Sequence, residues 1–108
     1  MERRLERERA AARVALVREK HFRLAAELAI GDAKAASRLA GARRMVELWR
    51  RNGACSERYI DAWSKILRAK PAKVAREMLA IPPEWRNAMF QNTPFGNLDA
   101  SVAPARAP

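Results

Sequence analysis

Apolar positions recur three and four residues apart along most of the chain, a spacing that predicts helices. The first stretch, up to Ile30, contains neither Gly nor Pro and is rich in strong helix formers. Its opening third is almost entirely charged, so we expect that end of the helix to be solvated. The apolar stripe begins later and consists of Val14, Val17, His21, Leu24 and Leu28.

Capping residues predict where the next helices begin and end. Asp32 is a favourable N-cap, and Asn52-Gly53 closes the second helix with the left-handed residue that helix ends often use. Ser56 is expected to cap a third helix, whose wide apolar face includes Trp63 and is the strongest core signal in the chain.

Prolines mark the last two helices. Pro71 is placed as a first-turn residue, which predicts a fourth helix to about Leu79. Its buried face is predicted to end with Leu79 itself. Pro82-Pro83 then breaks the chain, and Pro83 begins a short fifth helix that ends near Phe90.

No segment shows the alternating pattern of a strand, so the predicted class is all-α, a small bundle of four to five helices. The predicted organisation has three parts. They are a long charged N-terminal helix over 1–30, a compact helical core over 31–98 and a disordered tail over 99–108.

The net charge of +10 belongs to the helices and not to the tail. Residues 1–30 carry 8 basic and 5 acidic side chains, 31–55 carry 6 and 2, and 56–80 carry 6 and 3. Residues 81–108 carry 2 of each sign. A domain this basic usually attracts polyanions, although a genome rich in arginine codons would give a similar excess.

Basic residues recur at intervals of seven on the second helix, opposite its apolar stripe, and recur likewise on the third. A duplex-binding protein needs such a set to contact phosphates and release counterions. The alternative is an ordinary solvated face of an amphipathic helix. The candidate nucleic-acid contacts are Arg43, Arg44, Arg50, Arg51, Arg58, Lys65, Arg68 and Lys73.

Sequence-specific recognition has less support than backbone contact. A helix that reads base edges usually offers Asn, Gln, Ser, Thr or Arg near its start. The third helix offers only Ser56 and Arg58 there, and the fourth begins Pro71-Ala72-Lys73. We therefore expect contact mainly with the phosphate backbone.

A second hypothesis is a protein-interaction module without a nucleic-acid role. The long first helix would dock a partner, or a second copy of the chain, through its apolar stripe. The candidate interface residues are Val14, Val17, His21, Leu24 and Leu28.

The residues that chemistry would need are few. Cys55 and His21 are the only cysteine and histidine, and no third group accompanies them as a catalytic set would require. We expect no catalytic residue, no metal site and no cofactor. No apolar run is long enough to span a membrane and the N-terminus lacks the form of a secretory signal, so we expect a cytoplasmic protein.

The second half of the chain carries three motifs: Trp63-Ser-Lys-Ile-Leu, Val74-Ala-Arg-Glu-Met-Leu and Gln91-Asn-Thr-Pro-Phe-Gly. Through these motifs, about residues 53–98 resemble a set of small bacterial proteins of antitoxin-like, accessory type. The resemblance implies no activity and no site residues. It does imply that Thr93-Pro94-Phe95 packs against the helices.

Overall fold

The computed structural model describes residues 2–96 and confirms the all-α class over that range. It contains no strand between residues 2 and 96. The tail predicted to be disordered, 99–108, lies outside the described residues. The five helices are α1 (Glu2–Ile30), α2 (Ala33–Asn52), α3 (Glu57–Leu67), α4 (Pro71–Leu79) and α5 (Pro83–Gln91).

The ends of α2 form as local chemistry predicts. The carboxylate of Asp32 accepts a hydrogen bond from the Ala35 amide at 3.0 Å, which satisfies a first-turn N–H. Gly53 has a φ of +67° and donates its N–H to the Trp49 carbonyl at 2.9 Å. Ser56 occupies the N-cap position of α3, but its side chain makes no capping hydrogen bond, so that prediction is only half right.

The core forms where α1 lies against α4, with further contacts from α1 to α2 and α5 and from α2 to α3. Trp63 of α3 is fully buried, and its indole N–H donates to the Asn92 carbonyl at 3.0 Å. Phe95 packs edge-on against Trp63 with ring centroids 5.8 Å apart. The Thr93-Pro94-Phe95 segment therefore closes the core, as the resemblance implied.

The second half of α1 belongs to this core. Leu24, Ala25 and Leu28 lie in the same buried cluster as Leu39 of α2 and Met78 of α4. The boundary predicted between a helix over 1–30 and a core over 31–98 is therefore not a boundary in the packing. No residue of α1 before His21 is fully buried.

Leu79 is an exception to the predicted stripes. Its side chain is 51% exposed, whereas Val74, Ala75 and Met78 of α4 are buried. Val74, Met78 and Ala75 span an arc of about 100° around α4, and Leu79 lies about 40° beyond the Ala75 edge of that arc. The predicted buried face of α4 was wrong for this residue.

Candidate nucleic-acid interface

Arg43 of α2 holds the end of α3. Its Nε donates to the Leu67 carbonyl at 2.8 Å, and its Nη2 donates to the Ala69 carbonyl at 3.1 Å. The last carbonyls of a helix lack partners within the helix, and the negative end of the helix dipole favours a cation. Arg43 therefore has an internal structural role, which sequence periodicity did not predict.

Arg50, one heptad later, is also engaged with α3. Its Nη2 donates to the Ser64 hydroxyl at 2.8 Å, and its Nη1 lies 3.7 Å from a carboxylate oxygen of Asp61. Arg50 and Asp61 are 46% and 65% exposed, so this ion pair contributes little to stability. Arg50 remains accessible to a partner, but part of its charge is already balanced.

Arg58 of α3 faces α5. Its guanidinium carbon lies 4.6 Å from the centre of the Trp85 ring and 5.9 Å from that of Tyr59, within the range of cation–π attraction. Lys65 lines a groove of about 350 Å³ on the same side of α3, together with Trp85 and Met89. Arg68 instead lines a groove of about 270 Å³ between α3 and α2, beside Arg43.

The basic residues of α3 thus do not share one face. A helix advances by about 100° per residue, so positions 58 and 65 nearly coincide while position 68 is turned toward the other neighbour. The spacing of basic residues predicted that Arg58, Lys65 and Arg68 lie on one face of the third helix. The structure assigns the first two to the α5 side and the third to the α2 side.

The remaining predicted contacts are exposed. Arg44 and Arg51 lie seven positions apart on the outward side of α2, next to the edge that carries Arg43 and Arg50. Five of the predicted contacts are exposed, and their side chains make no ion pair or hydrogen bond with another described residue. That set consists of Arg44, Arg51, Lys65, Arg68 and Lys73.

These positions define what we call the α2 basic surface, made of Arg43, Arg44, Arg50 and Arg51 with Arg68 from α3. Two carboxylates lie among them, since Glu47 lines the groove with Arg43 and Asp61 pairs with Arg50. Five arginines against two carboxylates leave this surface positive. Phosphate oxygens are a suitable partner for such an array.

The candidate protein interface on α1 divides in two. His21, Leu24 and Leu28 are at most 1% exposed, because they pack inside the chain's own core. They are therefore not a surface for a partner while α1 is packed, which corrects the interpretation of the whole stripe as an interface. Val14 and Val17 are only half-buried, and they line a shallow groove with Leu16 and Gln91.

His21 is the one buried ionisable side chain in the described part of the chain. Its Nδ1 donates to the Val17 carbonyl at 2.8 Å, and its Nε2 accepts from the Thr93 hydroxyl at 2.8 Å. Its ring stacks on Phe90, with centroids 4.1 Å apart and planes 2° from parallel. Burial lowers the pKa of His21 below its usual 6.5, and the hydrogen bond to the Val17 carbonyl opposes this.

These contacts bear on the catalytic pair considered from the sequence. Both ring nitrogens of His21 are occupied, one by Val17 and one by Thr93. Cys55 is half-buried in the link between α2 and α3 and packs against the core. His21 is thus committed to structural hydrogen bonds.

Sequence reasoning missed Thr93 and Trp85. Thr93 is 72 positions from its partner His21, and no local pattern connects them. Trp85 lies within the predicted fifth helix, and nothing in that prediction indicates that its ring contacts the guanidinium of Arg58. An unpaired basic residue and an amphipathic tryptophan offer no sequence signal that they will meet.

Two wider features of residues 2–96 complete the picture. No helix there is both long and apolar enough to cross a membrane. The His, Cys, Asp and Glu side chains of that range form no group of three that could hold a metal ion.

Comparison with known proteins does not extend these observations. No protein-family model, curated protein or solved structure matches the chain.

Proposed function

We propose that this protein binds nucleic acid through the phosphate backbone, with the α2 basic surface as the contact region. The observation that carries the proposal is the exposed arginine array without enough carboxylates to neutralise it. Arg44 and Arg51 point outward from α2 and have no ionic partner in the described chain. Arg68 extends the array across the groove to α3.

The internal bonds of Arg43 and Arg50 support this role in a second way. Because Arg43 is tied to the end of α3 and Arg50 to Ser64, neither guanidinium is free to sample many rotamers. A side chain that is already ordered loses less conformational entropy on binding. The two residues therefore form an ordered edge beside Arg44 and Arg51, which are exposed and have no ionic partner in the described chain.

The biological setting that fits is a cytoplasmic regulatory or antitoxin-like protein. Its support is the resemblance of residues 53–98 to small accessory proteins of that type, together with the charge. Backbone binding of this kind tolerates many sequences and falls steeply with salt.

The test is binding to a short DNA duplex, followed by fluorescence anisotropy from low to physiological salt. Each phosphate contact adds about 0.9 to the slope of log affinity against log salt. The double variant Arg44→Ala/Arg51→Ala should therefore bind more weakly and lower that slope by about 2.

The matched control removes two positive charges elsewhere. Arg23 and Lys34 are exposed and pair with Glu19 and Glu27, so Arg23→Ala/Lys34→Ala changes the net charge equally. The control should keep the wild-type slope. No binding by the wild-type protein at low salt, or an equal loss in both double variants, would contradict the proposal.

A second candidate function, docking to a protein partner, rests on the first half of α1. Leu5 and Leu16 are 44% and 50% exposed, and they lie eleven residues apart, close to three full turns. They therefore share one side of the helix. Val14 and Val17 lie farther around the helix and add half-buried apolar surface in the groove that Leu16 also lines. The partner with the simplest fit is a second copy of this chain, because the same helix then supplies both halves of the contact.

A further inference from the structure

Residues 92–96, which we call the C-terminal segment, are attached to the helical body at two points. One is the hydrogen bond from the Trp63 indole to the Asn92 carbonyl, with Phe95 packed on the same ring. The other is the hydrogen bond between Thr93 and His21 of α1. Only the second point contains a group that titrates near neutral pH.

At the second point, a neutral imidazole satisfies both of its ring nitrogens and the Thr93 hydroxyl at once. Since Nδ1 donates to a carbonyl, the ring proton is on Nδ1 and Nε2 is the acceptor. The Thr93 hydroxyl donates to Nε2, and its oxygen accepts the Phe95 amide at 3.2 Å. A proton on Nε2 would leave the hydroxyl hydrogen facing another N–H, so the Thr93 hydroxyl would have to rotate and give up Nε2 as the acceptor of its own hydrogen.

The charged form would also be poorly solvated. The side chain of His21 is fully buried between the Phe90 ring and the rest of the core. An ionised group in such a place is strongly disfavoured unless a partner of opposite charge is present.

Within residues 2–96, the elements packed around His21 supply no such partner. From α5 it meets Phe90, and Arg86 of the same helix is directed at the Phe22 ring. The pKa of His21 reflects burial and the Val17 carbonyl, with no contribution from a charged side chain.

The charged residues of the neighbouring helices lie elsewhere. On α4, which packs along α1, the residues Lys73, Arg76 and Glu77 are all exposed. On α1 itself, Arg23 pairs with Glu19 at the surface at 2.7 Å.

We propose that protonation of His21 releases the C-terminal segment from α1 while the helical body stays folded, so that this segment is an acid-sensitive latch. The body is held by apolar packing between α1 and α4, in which Leu24, Leu28 and Met78 take part and no group titrates. Opening would bring water to Nε2 and to the part of the core that Phe95 covers.

The direction in which pH shifts the opening of the latch follows from proton linkage. In the open latch the imidazole is solvated and has a pKa near its usual 6.5, whereas in the closed latch burial lowers it. The open form therefore binds more protons as the pH falls below about 6.5. The opening constant should rise by up to tenfold for each pH unit below that value, and level off once the buried ring itself titrates.

The experiment is amide hydrogen exchange of the full chain across this pH range, corrected for the intrinsic pH dependence of exchange. The Phe95 amide, which donates to Thr93, should lose protection with falling pH. Amides in the middle of α2 and in the second half of α1 should keep theirs. The chemical shifts of the His21 ring report its titration in the same samples.

Two variants separate the latch from general acid sensitivity. His21→Gln removes the titrating group, and the exchange of the Phe95 amide should then no longer change with pH beyond the intrinsic correction. Should that variant not fold, Thr93→Val removes the hydroxyl and leaves the histidine. The segment should then be more open already at neutral pH, and its response to acid should be smaller. In this variant opening is measured by exchange of the Trp63 indole N–H, which donates to Asn92, because the Phe95 amide has lost its own acceptor.

Three results would overturn the proposal. The first is an unchanged acid response in His21→Gln. The second is titration of His21 in the wild-type protein without any loss of protection at Phe95. The third is simultaneous loss of protection in α1, α2 and the segment, because acid would then unfold the whole chain.

Discussion

At the scale of single residues, the position of a side chain relative to the core determines its exposure more than its residue type does. Leu28 and Ile30 are both aliphatic and both near the end of α1. Leu28 is fully buried, whereas Ile30 is 73% exposed. Ile30 lies about 200° around the helix from Leu28 and faces solvent.

We expect Leu28→Ala to lower the free energy of unfolding by roughly 2–5 kcal/mol, because it removes buried methyl groups and leaves a cavity. The measurement is urea denaturation followed by circular dichroism. Ile30→Ala is the control and should change the free energy of unfolding by no more than about 0.5 kcal/mol. Equal effects of the two substitutions would show that α1 is not packed as described.

At the scale of the helices, local sequence signals predict the helix boundaries well but predict the capping hydrogen bonds of side chains less well. Asp32 and Ser56 are both good capping residues by type. Both adopt the extended backbone of an N-cap, but only Asp32 makes the capping hydrogen bond. The amides of Tyr59 and Ile60 bond to the Ser56 carbonyl, so the backbone alone begins α3.

This difference gives a paired prediction for the caps. Asp32→Ala should destabilise the protein by about 1 kcal/mol, because a first-turn amide of α2 loses its acceptor. Ser56→Ala should cost no more than about 0.5 kcal/mol. Thermal and urea denaturation of the two variants, at pH 7 and equal ionic strength, would measure the pair. A larger loss in Ser56→Ala would contradict the geometry at α3.

At the scale of the whole molecule, α1 reaches beyond the surface it packs against. A helix of 29 residues is about 43 Å long, and the longest dimension of the molecule is 48 Å. Its charged first third has no fully buried residue, while its second half lies in the core. The molecule thus presents a basic body and a separate helical extension, which correspond to the two proposed functions.

If the extension joins two copies of the chain, the molar mass measured by light scattering should approach that of a dimer as concentration rises. Leu16→Asp should then prevent dimer formation, because it places a charge on the contact surface. Leu79→Asp is the matched control, since Leu79 of α4 is 51% exposed against 50% for Leu16. A wild-type protein that stays monomeric at high concentration would rule out this mode of self-association.

The helices, their order and most of their buried residues were determined by the sequence itself. Caps, prolines and the three-and-four spacing act over a few residues. The helix ends at Asp32, Gly53 and Pro71 can therefore be predicted from their neighbours in the sequence. The excess of positive charge is likewise a property of the chain. None of these features depends on which helices become neighbours.

The partners of the polar side chains were decided only by the tertiary structure. Arg43 and Arg44 are adjacent in sequence, yet one binds the end of α3 and the other faces solvent. His21 and Thr93 meet across 72 positions because α1 and the residues after α5 pack on the same core. A charge pattern shows where a helix is polar, but its role depends on what the packed chain brings within hydrogen-bonding distance.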